Sequence, residues 1–334
     1  MSASPLELKY LGETGLLLSV LGMGTLTVSP AQNDLPLAAA GEILAYAVRR
    51  GINWLDTAHL YNNYAQIRAA LDRLSVPPLI MTKTYAYEAA QVGRDFDYAR
   101  RELGLDDLAA LMLHEQESPL TLAGHVEAFE AMLRLRERGL IKAVGISTHS
   151  VSVIESLVRV RSDSSDDFSI PAIYREADFV FALLNQTGIG LLDGSWQEME
   201  QAARAAERSG LGVLGMKLFA GGHLLSQRAQ AVKAALSLDF VTSWSVGMGS
   251  QAEIDVNLDW FCGREPDQNS LELTASKPRR LVIEYWCAGC GNCVARCRSQ
   301  ALYLRGGRAE VDHSKCILCS YCAASCPYYA IKIW

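Results

Sequence analysis

Short apolar runs alternate with longer amphipathic stretches over about the first 260 residues of this 334-residue chain. The runs fall at 21–25, 53–57, 79–83, 109–114, 143–147, 179–184, 213–217 and 241–246. Runs this short and this uniformly apolar predict strands buried on both faces, as in a parallel sheet. Between them, 38–50, 62–75, 122–138, 151–160, 196–209 and 229–237 place apolar residues at helical spacing, which predicts helices with one buried face. Strand and helix in alternation mean parallel strands joined by crossover helices. Eight such units predict an α/β fold, a closed (β/α)8 TIM barrel. A doubly wound open sheet competes, but no GxGxxG follows an early strand. Runs at 6–10 and 16–20 predict an N-terminal hairpin. The pattern lapses at 162–167, a serine- and aspartate-rich solvated loop, and at 266–278, polar and aperiodic, which reads as a linker. The expected organisation is a barrel over 1–265, a linker over 266–278 and a small module over 279–334.

Composition narrows the setting. Hydrophobic residues at 50% and charged residues at 20% are ordinary for a soluble globular protein. No apolar run reaches the ~18 residues of a membrane helix, so no membrane partner is expected. Met1-Ser2-Ala3-Ser4-Pro5 has neither a basic region nor an apolar signal core, so the expected location is the cytoplasm. The net charge of −6 is unevenly spread. From Lys277 onward nine basic residues stand against three acidic ones, a tail of +6 on a body of −12. The positive charges are scattered among cysteines, so nucleic acid is not expected. They suit a tail held against an acidic body or partner.

Eight of the nine cysteines lie in that tail, in two nearly identical runs. One reads Cys287-x-x-Cys290-x-x-Cys293-x-x-x-Cys297; the other reads Cys316-x-x-Cys319-x-x-Cys322-x-x-x-Cys326-Pro327. This is the spacing of bacterial two-cluster ferredoxins, in which three cysteines of a run hold one iron–sulfur cube and the fourth ligates the other. Cluster I is assigned to Cys287, Cys290, Cys293 and Cys326, and cluster II to Cys316, Cys319, Cys322 and Cys297. Zinc prefers paired cysteines, four per ion, and disulfides need an oxidising compartment. Tripled spacings with a fourth cysteine suit neither. Arg298 stands where a proline usually follows the fourth cysteine, which leaves the ligand itself in place. The tail is therefore expected to be a small α+β ferredoxin-like domain with two 4Fe–4S clusters, closed by a strand ending at Trp334. The ninth cysteine, Cys262, reads as a buried thiol.

In a barrel of this kind, functional groups sit at the C-terminal ends of strands. Asp56 and Tyr61 follow the second barrel run, Lys83 ends the third and His114 the fourth. Asn53-Trp54-Leu55-Asp56-Thr57-Ala58-x-x-Tyr61, Met81-Thr82-Lys83 and Leu113-His114 resemble segments of the aldo-keto reductases. Leu11-Gly12-x-Thr14-Gly15-Leu16, Leu21-Gly22-Met23-Gly24-Thr25, Val144-Gly145-Ile146-Ser147 and Gly249-Ser250 with Asn257 extend the resemblance over about 6–262. It implies carbonyl reduction by hydride from a nicotinamide, or the reverse, on a small-molecule carbonyl or alcohol. Tyr61 would be the general acid, Lys83 the cation that lowers its pKa, Asp56 the partner of Lys83, and His114 the donor that orients the carbonyl. Singly, these four also read as a helix cap, a core-edge aromatic, a surface cation and a satisfied buried imidazole.

The same resemblance places Ser147 and Thr148 at the carboxamide, and Lys217, Gly221, Gly222, Gly249, Ser250 and Asn257 around the rest of a dinucleotide. Phosphate sites favour the last two loops of a barrel. Thr148, Phe181 and Met216 depart from the family's asparagine, glutamine and aromatic. Gly247 and Glu253 stand where NADP binders are often basic, so NADH is expected over NADPH. Tyr85, His59, Tyr87 and Trp54 are pocket candidates or packing. Nicotinamide moves two electrons and a cube moves one, and no flavin motif joins them. Three readings stay open. The clusters serve a partner in electron exchange, or they are structural or redox-sensing beside an ordinary reductase, or nicotinamide is lost and the chain is an electron-transfer subunit or a redox-neutral lyase.

Overall fold

The computed structural model describes residues 6–162 and 170–334, so the N-terminal pentapeptide and most of the loop expected at 162–167 lie outside the described residues. An antiparallel hairpin, β1 (Leu8–Tyr10) and β2 (Leu17–Ser19), precedes the barrel strands. These are β3 (Leu21–Gly24), β4 (Trp54–Asp56), β5 (Leu79–Thr84), β6 (Leu108–Gln116), β7 (Ile141–Thr148), β8 (Phe179–Leu183), β9 (Gly212–Met216) and β10 (Ser243–Gly247). All are parallel and close in chain order, with β10 beside β3. The helices are α1 (Leu37–Arg49), α2 (Tyr64–Leu71), α3 (Ala89–Leu103), α4 (Pro119–Gly124), α5 (Val126–Glu137), α6 (Val151–Ser162), α7 (Trp196–Arg208), α8 (Arg228–Leu236) and α9 (Gln251–Phe261).

Alternation along each strand makes two cores. Trp54, Met81, Met112, Ala143, Phe179, Phe181, Leu214 and Met216 fill the barrel interior. Their neighbours Leu55, Ile80, Leu111, Val144, Val180 and Val213 face the helices. Leu11, Leu16 and Leu18 from the hairpin join the interior set and close its N-terminal end. Trp54 lies there, its indole N–H donating to Ser243 Oγ at 2.9 Å. Gly22 is required by that ring, since a Cβ there would overlap the indole. Trp54 is thus barrel floor and not pocket wall.

The structure departs from the sequence pattern in three places. The stretch 122–138 is two helices, α4 and α5, parted at His125. The segment 266–278 holds a helix, α10 (Gln268–Ala275), where the pattern predicts a linker. Asp267 caps it by accepting the Ser270 N–H at 3.0 Å, and the helix buries Ser270 and Thr274, so no apolar stripe announces it. Cys262 is half-buried rather than buried.

The tail contains β11 (Leu281–Ile283), α11 (Asn292–Arg296), β12 (Leu302–Arg305), β13 (Arg308–Val311) and β14 (Ile331–Ile333). β12 and β13 form a hairpin through Gly306 and Gly307, both at positive φ. β14 pairs antiparallel with β11, placing Ile333 opposite Leu281. The other side of β14 meets the turn Ala220–Gly222 that follows β9, so the tail sits on the C-terminal mouth of the barrel. No helix of the described residues is long and apolar enough to cross a membrane.

Candidate active site

The same alternation that fills the barrel places polar groups at its mouth. Two residues beyond the inward Trp54, Met81 and Met112 come Asp56, Lys83 and His114, which therefore point inward one layer higher. All three are buried. The Lys83 ammonium donates to one Asp56 oxygen and, at 2.8 Å, to the Thr57 carbonyl. Ser245 Oγ donates to the other Asp56 oxygen at 2.8 Å. Tyr61 comes from the short turn His59–Tyr61, and its ring centroid lies 5.1 Å from Lys83 Nζ. It meets His114 edge-on, with centroids 5.8 Å apart. The four residues singled out by sequence therefore share one pocket.

Tyr85 stacks on His114 at 4.4 Å, and its hydroxyl donates to Glu115. His59 and Tyr87 stand further out, His59 beside Asp95 at 3.8 Å and Tyr87 exposed. Glu115 is a group that sequence reasoning missed. It sits at positive φ within an irregularity of β6, next to His114, a strained position of the kind found at functional sites.

The proton affinities differ from expectation. The Tyr61 hydroxyl is pushed well above its usual range, first by burial and then by the Asp56 and Glu115 carboxylates. The Lys83 ammonium, 5.1 Å from the ring, does not reverse this rise. Burial lowers Lys83 while Asp56 opposes the fall. Burial also presses His114 to about 3 and His149 to about 4, so both imidazoles are neutral in the folded protein near pH 7. In the unfolded chain each takes a proton near pH 6.5. Stability contributed by keeping them neutral is complete above that value and is lost as pH falls toward 4. Each should cost about 1.4 kcal/mol per pH unit below 6.5. Urea unfolding of anaerobic protein between pH 7.5 and 5 checks this; His149→Gln should flatten the slope, and an unchanged slope would remove His149 from the account.

The residues expected around a dinucleotide are mostly engaged with protein. Ser147 is buried at the end of β7 with its hydroxyl unpartnered. Thr148 donates to the Gln116 carbonyl at 2.6 Å and accepts from the Ser150 N–H at 2.9 Å. The Gly249 N–H donates to Glu253 at 2.6 Å, and Ser250 caps α9 by accepting from the Glu253 N–H at 3.2 Å. Asn257 donates to the Glu253 carbonyl at 2.7 Å. The Glu253 carboxylate also pairs with Lys277 at 3.1 Å, so it is not the bare charge that the NADH expectation assumes.

Gly221 and Gly222 lie under the tail. A Cβ on Gly221 would stand 2.7 Å from the Tyr329 hydroxyl, and one on Gly222 would overlap the Ile333 carbonyl. Lys217 Nζ is 5.7 Å from the Tyr329 ring centroid. His149 meets the same ring edge-on at 5.8 Å, and Lys332 Nζ lies over it at 2.7 Å. Tyr329, Lys332 and His149 are each more than nine-tenths buried, and each carries an unpartnered polar atom. The tail residues have no sequence signal linking them to the barrel, whereas His149 stands two residues past Ser147.

The cysteines line two hollows. Cys287, Cys290, Cys293 and Cys326 line one; Cys297, Cys316, Cys319 and Cys322 line the other. Among the described residues no three such ligands gather as a single ion requires. Thiols spaced around a hollow fit the larger cube, and backbone N–H groups add to the fit. Ala301 donates to Cys297 Sγ and Ala330 to Cys326 Sγ, both at 3.3 Å, and such bonds tune cluster potentials. Iron and sulfide analysis of anaerobic protein should give about eight of each per chain. About two zinc ions with little iron would sink this assignment.

Residues 20–242 match the family model described as the aldo/keto reductase family, and residues 286–330 match that of the 4Fe-4S dicluster domain. An aldo-keto reductase of Mycolicibacterium paratuberculosis is 29% identical over 146 residues, 42% of this chain and 47% of that protein. The chain thus spans about half the length of the mycobacterial relatives it matches. A component of the ion-translocating oxidoreductase complex of Methanosarcina acetivorans is 37% identical over 57 residues, 17% of this chain and 22% of that one. A solved aldo-keto reductase of Bacillus halodurans in its holo form superposes with a TM-score of 0.62 at 18% identity, covering 81% of this chain and 95% of that one.

Proposed function

Because the chain belongs to the aldo/keto reductase family and carries a 4Fe-4S dicluster domain, we propose that it interconverts a small-molecule carbonyl and its alcohol while exchanging electrons with a protein partner. The observation that carries this reading is the buried Asp56–Lys83 pair beside Tyr61 and His114, in the very mouth on which the cysteine-bearing tail sits. The partner is suggested by the tail's similarity to a component of an ion-translocating oxidoreductase complex. An ordinary nicotinamide reductase with structural or sensing clusters would not need its tail at the substrate end.

The roles follow from the chemistry of each group. Reduction of a carbonyl breaks its π bond, forms C–H and O–H bonds, and takes up two electrons and two protons. Tyr61 gives the oxygen its proton. Its raised affinity keeps it protonated at working pH, and the forming alkoxide is the stronger base. Lys83 stabilises the phenolate left behind, and Asp56 with Ser245 fixes Lys83. His114, neutral, donates one ring N–H to the carbonyl oxygen and orients it. Bound 4Fe–4S clusters transfer electrons one at a time; Cys287, Cys290, Cys293 and Cys326 would hold one and Cys297, Cys316, Cys319 and Cys322 the other. NADH or NADPH is the family's usual donor, and the residues described above offer it little.

The test is direct. Anaerobic protein reduced with dithionite, then freed of excess reductant, should be reoxidised by members of a panel of aldehydes, ketones and keto acids, with one alcohol formed per two electrons lost. Reduced protein that no carbonyl reoxidises would overturn the reading.

A further inference from the structure

In barrels of this architecture phosphate groups sit in the loops after the last two strands, here those following β9 and β10. The loop after β9 is filled. Gly221 and Gly222 have positive φ, 64° and 91°, and no side chain, which is how a backbone lets a phosphate or another chain approach closely. What approaches is β14. The Tyr329 hydroxyl and the Lys332 side chain meet Gly221, and the Ile333 backbone meets Gly222. His223, just beyond, bridges the two parts, one ring nitrogen 2.9 Å from Ser320 Oγ and the other 2.9 Å from the Ile331 carbonyl. Gly190, in the loop after β8, also faces the Tyr329 ring. The contact is thus a joint built by two loops of the barrel against the tail. In the loop after β10, the Gly249 N–H that could meet a phosphate is taken by Glu253.

We propose that β14 is the resident occupant of the barrel's phosphate cleft, so that the barrel draws its electrons from the fused module and excludes dinucleotides. The inference rests on the reading of the barrel as a carbonyl oxidoreductase and names its electron source. Tyr329 lies three residues from Cys326 and immediately before Ala330, whose N–H donates to the Cys326 sulfur. Its ring reaches His149 and Lys217 of the barrel. Glu115 acts electrostatically on both Tyr61 and Tyr329, so the tail side chain and the candidate acid face one mouth. The balance closes without a hydride. Two equivalents of a one-electron donor of the reduced-ferredoxin class are each oxidised by one electron. The substrate gains those two electrons and two protons from solvent, one of them handed to the oxygen by Tyr61.

The experiment titrates NADH and NADPH into anaerobic holoprotein and follows amide hydrogen exchange of Ile331–Ile333 in parallel. Neither nucleotide should bind detectably up to about 1 mM, a Kd at least a thousandfold above the micromolar range typical of tight cofactor sites. Exchange at β14 should stay slow and unchanged. Micromolar binding of either nucleotide, or exchange at β14 that quickens when one is added, would overturn the inference. Failure of the underlying reading looks different. Absence of nucleotide binding together with no reoxidation by any carbonyl leaves the cleft occupied and the carbonyl chemistry refuted. Nucleotide binding with carbonyl turnover does the reverse.

Discussion

Replacing Tyr61 with phenylalanine should cut carbonyl turnover by about 10²–10⁴-fold, the usual worth of a positioned general acid. Iron and sulfide content should not change. The substitution removes one oxygen from a ring that contacts His114 edge-on and lies near Lys83, and those contacts survive in phenylalanine. The Tyr61 hydroxyl carries no hydrogen bond to the described residues, so its loss leaves no buried partner stranded. Stability should therefore shift by less than about 1 kcal/mol. Without the hydroxyl the forming alkoxide must take its proton from water, in a site whose burial already raises the cost of charge. A loss confined to turnover, with substrate binding retained, separates proton donation from packing. Equal turnover in the variant and the parent would remove Tyr61 from the mechanism.

The mouth of the barrel is legible in the sequence to unequal depth. Asp56, Lys83 and His114 are visible because a strand exposes every second residue to one face, and an inward apolar residue precedes each of them by two. The cysteine quartets are visible because ligand spacing is local along the chain. Neither rule reaches across modules. Tyr329 and Lys332 lie more than a hundred residues from the barrel groups they meet, and their burial depends on the shape of the Ala220–Gly222 turn. Gly221 and Gly222 read as phosphate contacts from the resemblance and from their place in the last two loops of a barrel, while the neighbour that meets them is invisible in the sequence. Burial also reverses one electrostatic expectation. Sequence places a cation beside Tyr61 to lower its proton affinity, but in the three-dimensional site burial and the Asp56 and Glu115 carboxylates raise it. The helix at Gln268–Ala275 is hidden from the pattern because it packs through serine and threonine, without the apolar stripe that pattern reading requires.

The Asp56–Lys83 pair should show the largest stability effect in the barrel. Lys83 is 1% exposed and its carboxylate partner 7%, so neither charge has water to fall back on. Lys83→Met keeps the side-chain length and removes the ammonium, leaving the Asp56 carboxylate with only the Ser245 hydroxyl among its side-chain partners. Breaking a buried pair in this way costs about 3–5 kcal/mol, because the remaining charge is uncompensated. The double variant with Asp56→Asn removes the stranded charge and should recover at least half of the lost stability. It should not recover turnover, since the phenolate of Tyr61 still lacks its cation. Urea unfolding of the two variants, beside carbonyl reoxidation of the reduced protein, reads both effects. A single variant as stable as the parent would mean that the pair is solvated in solution. A double variant with restored turnover would mean that Lys83 acts only by holding the fold.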